Sequence, residues 1–222
     1  MTRSPFPAWL PLMIALLTCS GCVAAAVGAD ERPNATFVLL TPDAEGDPSP
    51  ARGPQVLVPE PVTLAVLASQ RVVVRVDRRE VQYLADTRYA DTLTKLTQFK
   101  LKRALESSRA IGAASLPGEG LAIDYQVLTD IRGFEIRTAP GSIAVASAGN
   151  APTVVPSTAY VALTIKLLND RSGNVVASRL FEGTAPVPVS TDEQLGAAYL
   201  AALDVALDGV LVDVRNWVAR RI

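Results

Sequence analysis

The sequence predicts an α/β fold: a mixed β-sheet of about five to seven strands covered by two main amphipathic helices, with an antiparallel meander in the second half. Three observations carry that expectation. Two stretches, one ending near Ser108 and one after Ser190, repeat apolar side chains at helical spacing. Residues 121–182 alternate apolar and polar side chains as strands do. Between two of those runs, Asp170-Arg171-Ser172-Gly173 has the composition of a tight turn.

Taken in order, Phe37-Val38-Leu39-Leu40 is apolar and short, as a buried strand should be. Six prolines then interrupt residues 41–61, which predicts a long irregular loop. Val62 to Leu67 resumes as a strand, and Arg71 to Val76 follows, rich in β-branched residues. Glu80 to Leu84 alternates and suits an edge strand. Asp86 or Thr87 is placed to cap a helix running to about Ser108, with Tyr89, Leu93, Leu96, Leu101 and Leu105 inward. Its cations Arg88, Lys95, Lys100, Lys102 and Arg103 should then point outward.

Leu121 to Ile136 reads as one long strand, and residues 138–158, uncharged and rich in Ala, Gly, Ser and Pro, as a mobile excursion. Ala159–Leu168 and Asn174–Glu182 flank the turn as a β-hairpin. Ser190, answered by Glu193 three residues on, forms a capping box for the last helix. Leu195, Ala198, Tyr199, Ala202, Ala206, Val210, Val214 and Trp217 mark its inward stripe.

The first residues have the layout of a secretory signal: Arg3, an apolar run from Ala8 to Leu17, and Ser20-Gly21 leading into Cys22. Small residues let a peptidase reach the backbone, and a thiol at the cut accepts a diacylglyceryl group. Residues 1–21 are therefore expected to be removed and Cys22 lipidated, with residues 22–36 as a tether and 37–222 as a single domain. An uncleaved membrane anchor and an ordinary signal peptide are the competing readings of the same segment. After cleavage 20 Lys and Arg stand against 22 Asp and Glu, so no basic excess supports nucleic-acid binding. Both cysteines, Cys19 and Cys22, lie in this segment, so no disulfide is available to the domain.

Histidine is absent from all 222 residues, which excludes Ser-His-Asp and Cys-His catalysis and His-ligated metal sites. No phosphate-cradling glycine motif occurs. Asp124, Asp130 and Glu135 lie along one expected strand. Asp124 and Asp130 would stand roughly 20 Å apart at about 3.3 Å per residue, too far to act on one bond. They are read as solvated strand-face charges, and Asp204, Asp208 and Asp213 as the wet face of the last helix. No catalytic residue, metal site or cofactor site is assigned. Trp217 suits either a partner anchor or the packing of a helix end onto its sheet. Ile143, Val145, Val154 and Val155 are apolar on the expected excursion and suit lipid or partner contact, or no contact.

The order of motifs resembles the ABC-type transport auxiliary lipoproteins. The cysteine box precedes Phe37-Val38-Leu39-Leu40-Thr41-Pro42, then Arg71-Val72-Val73-Val74-Arg75, then Glu80-Val81-Gln82-Tyr83. Arg88-Tyr89-Ala90-Asp91 is similar to the family's Arg-Trp-Ala-Asp, with Tyr in place of Trp. Asp170 to Phe181 is similar to its late hairpin. The resemblance implies a non-enzymatic periplasmic component of an MCE-type lipid transport system. Its implied partners are an MCE-domain substrate-binding protein and an ABC permease with its ATPase. It leaves phospholipid binding and a homo-oligomer open. Val23 after Cys22, where inner-membrane retention signals resemble Asp, points to the outer membrane. The competing reading is an outer-membrane lipoprotein that regulates peptidoglycan synthesis through protein contacts. A third, a hydrolase using carboxylates alone, rests on Asp124, Asp130 and Glu135.

Overall fold

The computed structural model describes residues 35–37, 53–138, 156–188 and 195–222. Its elements run β1 (Ala35–Phe37), β2 (Gln55–Leu57), β3 (Val62–Thr63), β4 (Arg71–Arg75), β5 (Val81–Tyr89) and α1 (Leu93–Glu106). β6 (Ala113–Ser115), β7 (Tyr125–Thr138), β8 (Ser157–Asn169), β9 (Asn174–Pro186) and α2 (Leu195–Ala219) complete it. The α/β class and the mixed sheet stand as expected, with nine strands among the described residues where five to seven were expected.

β7 organises the sheet. One of its edges pairs antiparallel with β8 along its whole length, and β8 pairs in the same way with β9. The opposite edge takes β2, β3 and β4 in succession, each parallel to it. β6 flanks β2, β5 flanks β4, and β1 flanks β5. The expected meander is thus β7–β8–β9, turned at Gly173, whose φ of 68° suits glycine.

Alternation sets the two faces. Val127, Ile131, Phe134 and Ile136 of β7 are buried beside Val161, Leu163 and Ile165 of β8. Both described helices contribute to that core. α2 approaches β9 closely: a Cβ on Gly183 would lie 2.7 Å from the Ala206 carbonyl oxygen and from a Val210 methyl. Farther along, Trp217 meets Phe181 edge-on with ring centroids 5.6 Å apart. Trp217 is 1% exposed, so of its two expected roles the structure shows core packing. By length and composition α2 is apolar enough to cross a membrane, but its inward stripe is the domain's main core surface.

Several expectations need correction. Residues 64–70 form turns instead of continuing the strand begun at Val62, because Leu67 and Ala68 donate back to Leu64. The helix begins at Leu93, not at Asp86 or Thr87. Residues 87–89 instead pair with β1, and the Tyr89 N–H donates to the Gln70 carbonyl. Tyr89 therefore enters the core from a strand, edge-on to Phe134 at 6.1 Å. The expected Pro-rich loop contains β2, which is held between β6 and β7. Lys100 is not outward: it is buried, for a reason given below. Cys22, Ser190, Glu193 and the loop residues Ile143, Val145, Val154 and Val155 lie outside the described residues.

Candidate functional site

Three polar clusters and three surfaces are candidates. The first cluster crosses the sheet face that neither described helix covers. A register shift between Ile131 and Gly133 makes it: Asp130, Gly133 and Glu135 pair with Thr164, Ala162 and Tyr160, so all share that face. Strict alternation would have put Asp130 and Glu135 on opposite faces. The Arg75 guanidinium grips Glu135 with two hydrogen bonds, Nε to Oε1 at 2.7 Å and Nη2 to Oε2 at 2.8 Å. Arg137 Nε donates to Oε1 at 2.9 Å. Glu135, expected to be solvated, is only 4% exposed.

Burial raises the Glu135 pKa, but the hydrogen bonds and charges of Arg75 and Arg137 outweigh it and hold the carboxyl below its ordinary value. Arg137 also lies over the Tyr160 ring at 3.3 Å. That ring occupies the space a Cβ on Gly133 would need. The Tyr160 hydroxyl donates to Glu182, and burial followed by that carboxylate raises its pKa. The result is a chain of paired groups from β4 to β9. The lowered pKa of Glu135 is the reverse of what a general acid at neutral pH requires.

The second cluster joins the helices. Lys100 of α1 is 3% exposed, and its Nζ donates to Asp204 and lies 2.7 Å from Asp208 Oδ1. Asp204 is buried too, which corrects the reading of these aspartates as a wet face. Asp213 does remain exposed. Near the other end, Arg215 Nη1 donates to Ser107 Oγ at 3.1 Å, so the two helices run parallel. The third cluster is local: Asp124 accepts the Gln55 N–H at 3.0 Å and Arg171 at 2.8 Å. Those contacts, the backbone bond foremost, lower its pKa. Asp130 pairs with its strand neighbour Arg132.

Among the described residues no three His, Cys, Asp or Glu side chains group as metal ligands. Asp124, Asp130 and Glu135 are each held by arginine at separate places on the sheet and do not converge on one site. What the domain presents to a partner is therefore surface. The first surface is the open face of β7–β9, where Leu180 is exposed. The second is the outer edge of β9, which among the described residues pairs only with β8. The third is the outward side of α2, where Ala201, Val205, Gly209 and Val212 are exposed at helical spacing. A weak sign of the third is legible in the sequence, since α2 is apolar nearly all round. The first two have no such sign, because they depend on which strands find partners.

Residues 37–214 match the sequence profile described as the ABC-type transport auxiliary lipoprotein component. The chain is 29% identical over 182 residues to the uncharacterized protein bll6063 of Bradyrhizobium diazoefficiens. The match covers 82% of this chain but 44% of that relative, so the chain spans less than half of its length. Protein XCC0632 from Xanthomonas campestris is similar in structure, with a TM-score of 0.63 and 29% identity. The superposition covers 83% of this chain and 93% of that one. A second, uncharacterized crystal structure shares the fold at 12% identity, with a TM-score of 0.53 over 81% of this chain and 97% of its own.

Proposed function

Because the chain belongs to the ABC-type transport auxiliary lipoprotein family, we propose that it is a non-catalytic, lipid-anchored periplasmic component of a transporter for phospholipid or another hydrophobic substrate. The observation that carries this reading is the extent of the family match: it runs from the last residue of β1 through β2–β9 and most of α2. The structure supports it in a second way. The buried or half-buried charges are consumed by internal pairs, while strand edge, sheet face and helix face are left as extended contact surfaces. Such an economy suits a protein that positions others.

In this reading Cys22 carries the lipid, and the tether expected over residues 22–36, whose last two residues β1 takes into the sheet, joins the domain to the outer membrane. The partners are an MCE-domain substrate-binding protein and an ABC permease with its ATPase. Deletion of the gene, followed by lipid mass spectrometry of separated inner and outer membranes, tests the cargo. A shifted phospholipid distribution, restored by the wild-type gene and not by a Cys22→Ala version, is the expected result. Unchanged lipids with an altered peptidoglycan composition would replace transport by the cell-wall role.

A further inference from the structure

The edge of β9 leads beyond the family reading. This strand has 13 residues, one described neighbour, and an exposed apolar residue, Leu180, at 50% exposure near its middle. An edge strand of this length offers a ladder of backbone donors and acceptors to another strand. Its own copy, related by a two-fold axis perpendicular to the sheet, presents the complementary ladder by symmetry. Directly opposed residues must then lie on the same face, which restricts the axis to passing beside a residue paired with itself.

Charge selects among the central registers. An axis at Arg179 would oppose two arginines, and one at Glu182 would oppose two glutamates. An axis at Phe181 would set Leu180 against a glutamate. An axis at Leu180 has none of these faults. It pairs Leu180 with Leu180, and Ser178 with Glu182, on the open face; on the core face it pairs Arg179 with Phe181. In the single chain Arg179 already lies over its own Phe181 ring at 5.0 Å.

Charge complementarity then extends one strand farther. Ser178 pairs with Lys166 of β8. Lys166 is exposed and forms no ion pair among the described residues. The register at Leu180 therefore lines up Lys166, Ser178 and the second copy's Glu182 in one cross-strand row, twice per dimer. Cross-strand neighbours of opposite charge favour pairing, and like charges oppose it. We propose that a second copy of this chain continues the sheet through β9, with the two-fold axis at Leu180.

The test is disulfide crosslinking of the full-length, membrane-anchored chain. All native cysteines lie in the N-terminal segment, so the unaltered chain gives the background. In Leu180→Cys the two Cα atoms are about 4.5–5.5 Å apart, within the Cα separation a disulfide spans. In Thr184→Cys, on the same face, the two copies of residue 184 are roughly 26 Å apart, eight residues at about 3.3 Å each. A prominent dimer band from Leu180→Cys and background from Thr184→Cys are expected. Lys166→Glu should weaken the band, and adding Glu182→Lys should restore it. Equal bands at both positions, or background at both, would overturn the proposal. So would a band at 180 indifferent to both charge changes.

Discussion

Lys100→Met removes the buried cation that joins the two helices. The Lys100 side chain is 2% exposed, and its ammonium sits between Asp204 and Asp208, whose side chains are 12% and 32% exposed. Removing the ammonium leaves two carboxylates facing each other with little water. Breaking a buried pair in this way costs about 3–5 kcal/mol. The partial exposure of Asp208 moves the expectation toward the lower end. For a domain of this size each kcal/mol lowers Tm by about 2–4 °C, so a fall of roughly 6–15 °C is expected. The assay is thermal unfolding of the full-length protein in mild detergent, followed by circular dichroism. Lys102→Met provides the contrast: its ion pair with Glu106 lies at the surface and contributes at most about 1 kcal/mol. Adding Asp204→Leu to Lys100→Met should recover most of the loss, since Asp208 can then turn to water. A Tm within about 2 °C of wild type for Lys100→Met alone would refute the reasoning.

Glu135 gives a pH dependence whose sign follows from its lowered pKa. Its contribution is present above the unfolded-state pKa of about 4.3 and is lost as pH falls through the lower folded value. Glu135→Gln should therefore cost about 1–3 kcal/mol at neutral pH and progressively less on acidification, measured by denaturant unfolding across pH. Gly183→Ala forces a Cβ against the Ala206 carbonyl and should cost about 1–3 kcal/mol or more by overpacking. Gly173→Ala, at a turn open to solvent, meets only backbone strain of about 1–2 kcal/mol; the same unfolding experiment separates the two. Cys22→Ala should abolish incorporation of labelled palmitate, read by autoradiography of the immunoprecipitated protein.

What was legible from sequence was what local pattern determines. The β7–β9 meander followed from alternation and the Asp170–Gly173 turn, and the inward stripe of α2 followed from its spacing. The misplaced start of α1 has a nonlocal cause. Residues 87–89 resemble a capped helix entry by composition, but β1, some 52 residues earlier, and the Gln70 carbonyl take them as strand. β2 and β6 are three residues each and exist only because they pair with each other and with β7. Glu135 was misread as solvated because its cover comes from Arg75, 60 residues earlier on β4, together with Arg137, and a cross-strand cover of that kind leaves no local pattern. Lys100 could have been suspected. It lies seven residues after Leu93 and four after Leu96, on the apolar side of α1, and Asp204 and Asp208 carry the matching spacing on α2.

Affinity purification of the tagged, full-length protein from membranes in mild detergent, with proteomics of the eluate, tests transport directly. An MCE-domain protein together with an ABC permease or its ATPase is the expected result. Penicillin-binding proteins without any transporter subunit would contradict it.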